Sequence, residues 1–472
     1  MYPSRLAALA LTGLVSACSL GPFFDPPKVD APPAFEGGLQ GGTVAADFWP
    51  SADWWRGFGS AELDQLIAEA KENNHDLKAA LRRIEEAEAQ VRMARSSLFP
   101  SLGASGSVSR SERGSGGSGG NSRGGGATTS WQTGLQASYQ LDLFGANRAS
   151  AGAAELRLAS SIYDRETLGI TLVADVARAY FQALSARARR GIAENLLENA
   201  QSILELLERT EAVGTTSALE VAQQRAAVAS QRAALPGLLQ SERQSLSALA
   251  VLLGRNPQGF TVATASLDEL KLPPVTAGLP SELLLRRPDL KRAETSLRAA
   301  ELDTQAARAQ RFPIINLTAD GGFASQSLGQ LLTPGSWLYS LAASITAPIF
   351  QGGRLEAQED FSTAVYRELA ENYQQAVLFA FQDVQNALDA ADQSLREQEL
   401  RREAFVQARE AYRLAELRYR AGTTTFLTVL QAQQSVFQAA DSVLQSQLAR
   451  FNAIIDLYTA LGGGWPGDGS AP

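Results

Sequence analysis

The sequence predicts a mainly α-helical chain with transmembrane β-strands: a tandem duplication contributing four strands to a twelve-stranded β-barrel shared by three copies, continued by a long α-helical coiled-coil barrel. Three observations carry that prediction. Five short motifs occur twice in the same order, alternating polar and apolar segments occur in both halves, and apolar residues at heptad spacing run through the longest tracts.

At the N-terminus, Arg5 is followed by the apolar stretch Leu6 to Val15 and then by small residues, the layout of a cleaved signal peptide over residues 1–17. Val15-Ser16-Ala17-Cys18 resembles a bacterial lipobox, which makes Cys18 the expected lipidation site and the first residue of the mature chain. Cys18 is the only cysteine, so a disulfide within the chain is excluded. Ser19 follows it where an Asp would resemble an inner-membrane retention signal, so outer-membrane delivery is expected. Residues 18–60, with Pro26-Pro27, Pro32-Pro33 and several glycines, suit an extended tether from lipid to body. No later window supplies the run of about 20 apolar residues that a membrane-crossing helix needs. A membrane span must therefore be made of strands.

The duplication is read from paired motifs. Asp76-Leu77-Lys78 recurs as Asp289-Leu290-Lys291, Phe99-Pro100 as Phe312-Pro313, and Phe144-Gly145 as Phe350-Gln351-Gly352. Gly214-Thr215-Thr216 recurs as Gly422-Thr423-Thr424, and Leu253-Gly254 as Leu461-Gly462. The expected boundaries are a first repeat over 61–254, a connector over 255–280, a second repeat over 281–462 and a flexible tail over 463–472. Asn256-Pro257 and Pro273-Pro274 mark the connector as irregular.

Strands are expected over about 101–113, 127–144, 314–327 and 335–350. From Trp131 to Leu143, Trp131, Thr133, Leu135, Ala137, Tyr139, Leu141 and Leu143 alternate with Gln132, Gly134, Gln136, Ser138, Gln140 and Asp142. The second repeat alternates likewise, with Trp337, Tyr339, Leu341, Ala343 and Ile345 on one face and Ser340 and Ser344 on the other. Such strands also suit the cover of a soluble core. Their bilayer-crossing length, and Trp and Tyr on the apolar face as in an interfacial girdle, favour a membrane. Open sheet edges are not tolerated in hydrocarbon, so four strands must join those of other chains. Two copies would give an eight-stranded barrel largely filled by its own side chains, whereas three give twelve strands and room for a passage. The Gly/Ser run from Gly114 to Gly126 reads as a loop between the first two strands.

The remaining tracts are helical. Val377, Phe381, Val384, Leu388, Ala391 and Leu395 step by four and three, and Leu430, Phe437, Leu444, Phe451 and Tyr458 step by sevens. The helical tract from about Gly353 to Arg420 would reach roughly 100 Å. Each long helix then stops at Gly214 or Gly422, where glycine suits a left-handed terminus. Thr215, Thr216 and Ser217, or Thr423, Thr424 and Thr425, offer hydroxyls to cap the next helix. Both hairpins fall at the end of the helices away from the strands.

Catalytic chemistry has no constellation to work with. His75 is the single histidine and aligns with Pro288 of the second repeat, which marks it as a helix-start residue. The Gly-rich segment lacks the Gly-Lys-Ser/Thr ending of a phosphate loop, and Glu85, Glu86 and Glu88 read as a solvated helix face. The net charge of −8 argues against a nucleic-acid partner. No cofactor or metal is expected beyond the covalent lipid on Cys18.

Together these residues resemble the TolC-like outer-membrane efflux factors, in the lipoprotein branch serving resistance-nodulation-division pumps. The resemblance runs from the lipobox through Gly21-Pro22, Trp54-Trp55 with Phe58-Gly59, both Phe-Pro pairs, Arg287-Pro288-Asp289-Leu290 and the two Gly-Thr turns. It implies a homotrimeric outer-membrane channel, lipid-anchored and extending into the periplasm, that passively conducts small molecules expelled by a proton-driven inner-membrane pump. A periplasmic adaptor of the membrane-fusion type is implied to dock at Gly214, Thr215, Gly422 and Thr423. A constriction is implied at Glu220, Leu427, Thr428 and Gln431. Related proteins commonly carry acids at the positions of Thr428 and Gln431, so this chain departs from the pattern with neutral residues. A type I secretion duct and a non-conducting spacer lipoprotein are the competing expectations, and the paired alternating strands argue against the spacer.

Overall fold

The computed structural model describes residue 35 and residues 50–112, 127–264, 266–273 and 286–465. The predicted signal peptide, Cys18, the loop at 114–126, and much of the tether, connector and tail lie outside the described residues.

The duplication is visible in the lengths of the elements. In the first repeat, α1 (Ala61–Asn73) and α2 (His75–Ser96) precede β1 (Ser101–Glu112), β2 (Ala127–Leu141), α3 (Ala146–Ala212) and α4 (Ala218–Leu252). In the second, α5 (Pro288–Ala309) precedes β3 (Ile314–Ser325), β4 (Trp337–Thr346), α6 (Arg354–Arg420) and α7 (Phe426–Ala460). The long helices α3 and α6 each have 67 residues, about 100 Å at 1.5 Å per residue. Their partners α4 and α7 each have 35, and α2 and α5 each have 22.

The strands form one antiparallel sheet in the order β1-β2-β3-β4, so the central pairing, β2 with β3, joins one repeat to the other. Pairing ends earlier than the alternation suggests. β2 stops at Leu141, where Asp142 turns back to receive the backbone N–H groups of Asn147 (3.2 Å) and Arg148 (2.9 Å) at the start of α3. β4 stops at Thr346, two residues before Pro348, which has no N–H to give to a ladder. At its other end Pro334–Ser336 is a 3-10 turn, so the strand begins at Trp337 instead of residue 335. β3 ends at Ser325, just ahead of the 3-10 turn Leu328–Gln330.

The chain divides into two compact units. Of the described residues, one holds those within 83–161 and 293–373, including all four strands, and the other holds those within 50–82, 162–292 and 374–465, with residue 35. The core of the second unit gathers Phe58, Phe181, Leu184, Leu249, Phe451 and Ile455. The expected extended tether is overturned over its last residues: Trp54–Phe58 is a 3-10 helix with Trp54, Trp55 and Phe58 buried. Trp54 stacks on Tyr458 with centroids 4.9 Å apart, and Phe58 packs edge-on against Phe181 at 4.9 Å. Three aromatic rings are too much apolar surface to leave in water.

The connector is likewise built in. Val262 and Leu267 join the core, and the Glu62 carboxylate accepts the N–H groups of Ala263 (2.6 Å) and Thr264 (3.0 Å). Arg187 donates to the carbonyls of Val262 and Thr264, at 3.0 and 2.9 Å, from the other side of the same segment. The start of the predicted flexible tail is also packed: Gly464 is buried, and Trp465 meets Tyr163 edge-on at 5.8 Å.

The repeated Leu-Gly pairs have a common cause. Gly254 and Gly462 have φ of 70° and 92°, and a Cβ on either would stand 2.6 Å from a carbonyl oxygen, that of Asn73 or of Arg286. Only glycine fits a left-handed helix terminus against a neighbouring backbone. Beside them, Asn74 donates to the carbonyl of Leu252 at 3.0 Å, and Arg287 donates to that of Ala460 at 3.1 Å. The same junction is thus made twice with different side chains. Arg287 is held further by Asp289 (2.7 Å) and Asp383 (3.2 Å), which accounts for the Arg-Pro-Asp-Leu segment.

Candidate functional site

Two regions hold the candidate residues, and the sheet is the first. In the β2–β3 register Leu135 faces Gly321, Ala137 faces Ala319, Tyr139 faces Leu317 and Leu141 faces Ile315. Leu102 and Ala104 of β1 fall opposite Ala137 and Leu135, and Leu341 and Ile345 of β4 fall opposite Ala319 and Ile315. The apolar alternations of four strands therefore merge into one face. The other face carries Ser101, Gln136, Ser138, Gln140, Asn316, Thr318, Asp320, Ser340 and Ser344.

The apolar face is not the cover of a core. Leu102 is 72% exposed, Tyr339 72% and Leu341 77% within the chain. An apolar patch of this extent, edged by Trp131 and Trp337, suits lipid and not water. From Trp131 to Leu141 the span matches the roughly 9–11 residues of a tilted membrane strand. The outer edges of β1 and β4 have no partner strand among the described residues.

The hairpin turns are the second region. Gly214 and Gly422 adopt φ of 78° and 71°. In the first turn the N–H of Thr215 reaches the carbonyl of Thr210 at 3.0 Å, and in the second that of Thr423 reaches Arg418 at 3.0 Å. The Thr215 and Thr423 hydroxyls donate to the same two carbonyls, at 3.0 and 3.1 Å. These closures satisfy the last carbonyls of α3 and α6. Gly214, Thr215, Gly422 and Thr423 are all exposed.

The starts of α4 and α7 differ. Ser217 and Glu220 form a capping box: the Glu220 N–H donates to Ser217 Oγ at 3.3 Å, and the Ser217 N–H donates to Glu220 Oε2 at 3.4 Å. Thr425 occupies the equivalent place without the expected side-chain cap, because its hydroxyl lies 3.2 Å from Thr428 Oγ1 instead. Thr428 replaces the reaching carboxylate of Glu220, so no reciprocal box forms.

A buried cluster of Leu207, Val221, Ala415, Phe426 and Val429 packs the two hairpins together. Leu427, Thr428 and Gln431 are exposed on α7, alternating with the buried Phe426 and Val429. Glu220 does not stand free with them. It lies within electrostatic reach of the Tyr419 hydroxyl, which burial, followed by the charge of Glu220, holds above its ordinary value near 10. The Ser-x-x-Glu spacing of the capping box was readable in the sequence, but Tyr419 carried no local signal. A second unsignalled residue is Gln224, fully buried, whose amide donates to the carbonyl of Ala200 at 2.6 Å and ties α4 to α3. Among the described residues no group of His, Cys, Asp or Glu is arranged to hold a metal ion.

Comparison with known proteins places this architecture. Residues 66–255 and 279–463 match the outer membrane efflux protein family. The chain is 39% identical over 472 residues to the pyoverdine export outer membrane protein OpmQ of Pseudomonas aeruginosa, covering 99% of this chain and 98% of that one. It is 36% identical to the cation efflux system protein CusC of Escherichia coli O157:H7, covering 98% and 100%. The crystal structure of the open state of the Neisseria gonorrhoeae MtrE outer membrane channel superposes with a TM-score of 0.84 at 32% identity, over 95% of this chain and 99% of that one. The chain belongs to the outer membrane efflux protein family, and it is an outer-membrane exit channel of a tripartite efflux system, not an enzyme.

Proposed function

We propose that three copies of this chain close their sheets edge to edge into a twelve-stranded barrel whose polar face lines the passage. The observation that carries this is the pairing of β2 with β3, together with the free outer edges of β1 and β4. Within one chain the last strand of the first repeat pairs with the first strand of the second. The same rule applied between chains pairs β4 of one copy with β1 of the next, and closure leaves no edge in hydrocarbon.

The passage receives small molecules from an inner-membrane, proton-driven pump of the resistance-nodulation-division type through a periplasmic adaptor. The adaptor docks on the exposed turns at Gly214, Thr215, Gly422 and Thr423, and the lipid on Cys18 anchors each chain. One relative is named for pyoverdine export and another for cation efflux, so related ducts of this length serve unlike solutes. Selection among solutes then belongs mainly to the pump. The closed end lies at Leu427, Thr428 and Gln431, with Glu220 behind them. With no carboxylate at Thr428 or Gln431, closure rests on Leu427 packing and on contacts between the hairpins, with Tyr419 set near the charge of Glu220.

The test is accumulation of dyes, antibiotics, siderophores and copper or silver ions in a strain lacking this protein, with its cognate pump expressed and other exit ducts removed. Raised accumulation reversed by the intact chain is expected. No change across the panel would favour a spacer or a protein-secretion duct. The constriction has its own test: Gln431→Asp should raise cation selectivity, and an unchanged channel would remove Gln431 from the narrowest point.

A further inference from the structure

We propose that Asp320 makes the barrel section of the passage cation-selective, a role that rests on the reading of the polar sheet face as the passage lining. Among the described residues of the four strands, Asp320 is the only ionisable side chain on that face. The register leaves its direction in no doubt. It pairs with Gln136 on β2 and Ser340 on β4, both polar-face positions, while its neighbours Ala319 and Gly321 belong to the apolar face. The Ser340 hydroxyl donates to Asp320 Oδ2 at 3.4 Å, and no cationic side chain lies on the face to neutralise it.

The surroundings leave the carboxylate partly exposed. One step along the same face stand Gly134 and Gly322, directly paired across β2 and β3. A Cβ at Gly134 would meet the Gly321 carbonyl at 2.7 Å, and one at Gly322 would meet that of Thr133 at 2.2 Å, so no larger residue is accommodated at either position. On the opposite face the Trp337 ring closes over Gly321, 3.6 Å from where its Cβ would be. Asp320-Gly321-Gly322 therefore combines a bare backbone patch toward the passage with an aromatic seal toward lipid. An ionisable group within a membrane span is costly and faces water or a function.

The range of its field can be estimated. Twelve strands about 4.8 Å apart, tilted about 40°, enclose a lumen of radius ~12 Å, which leaves inward carboxylates roughly 9–10 Å from the axis. That is comparable with the Debye length of about 10 Å at 0.1 M salt and far beyond the ~3 Å at 1 M. Three such charges enrich cations and deplete anions on the axis enough for a roughly two- to fourfold effect on the permeability ratio at low salt. Their influence vanishes at high salt. Cationic solutes are favoured by the same field.

The experiment is the reversal potential of the purified full-length protein in planar bilayers under a KCl gradient, near 0.1 M and near 1 M. Asp320→Asn should lower the potassium-to-chloride ratio roughly two- to fourfold near 0.1 M and not at 1 M, and Asp320→Glu should keep it. Ser340→Lys, which sets an ammonium beside an intact Asp320, should lower it at least as far and serves if Asp320→Asn fails to assemble. An unchanged ratio at low salt in a conducting Asp320→Asn or Ser340→Lys channel overturns the inference alone. Absence of any conductance from the wild-type protein overturns the channel reading and this inference with it.

Discussion

The hydroxyl of Tyr419, near the end of α6, lies within electrostatic reach of the carboxylate of Glu220 in the first turn of α4. One side chain of the second repeat thus senses a charge in the hairpin of the first. Tyr419→Phe keeps the ring against Phe426, whose centroid lies 5.3 Å away, and removes only the hydroxyl. A rise in single-channel conductance is expected, with a stability loss of about 1 kcal/mol. Unchanged conductance would mean that the two hairpins stay closed without this hydroxyl.

The glycine turns separate into two kinds. Gly254→Ala and Gly462→Ala meet both a left-handed φ and a carbonyl oxygen at 2.6 Å, whereas Gly214→Ala meets the φ alone, with open space around it. Thermal unfolding should show a loss of about 1 kcal/mol for Gly214→Ala and clearly more for each of the other two. Equal losses at all three positions would refute the close-approach explanation of the Leu-Gly repeats.

Much of this architecture was legible in the sequence because its signals are periodic. Trp131 to Leu141 shows its apolar face by strict alternation, and α6 and α7 show their packed faces by heptad seams. Motifs that impose a backbone conformation, such as Gly214 and Gly422, were equally plain. What escaped was tertiary. Trp54, Trp55 and Phe58 sit beside a proline-rich stretch and read as tether, and only rings far along the chain, Tyr458 against Trp54 and Phe181 against Phe58, show where they belong. Thr425 looked like a helix cap by composition, yet its hydroxyl went to Thr428. The role proposed for Tyr419 depends on the nearby charge of Glu220, a proximity that no local pattern encodes.

Trp54→Ala should be among the most damaging single changes outside the membrane. The ring is 3% exposed, stacks on Tyr458 and contacts Phe58 and Trp55 edge-on. A cost of about 3–5 kcal/mol is expected from the lost burial and residual cavity. A change in melting temperature too small to measure would place Trp54 outside the structural core.

Glu62 ties acid sensitivity to the connector. Burial raises its pKa, but the N–H groups of Ala263 and Thr264 and the hydroxyl of Tyr180 outweigh that and hold it below its ordinary value near 4.5. A carboxylate depressed in the folded state stabilises above its unfolded pKa, and that contribution fades as pH falls through the folded one. Glu62→Gln should therefore cost about 1–2 kcal/mol at pH 7, with the difference from wild type shrinking below about pH 4.5. Melting curves at several pH values check this, and a difference independent of pH would point to lost packing.

The most direct measurement is the mass of the intact assembly in detergent micelles by native mass spectrometry, followed by bilayer conductance of the same sample. The open edges of β1 and β4 predict a particle of three chains that gives discrete conductance steps. A folded particle of one chain without conductance would contradict the shared barrel, and with it the passage that the polar face is proposed to line.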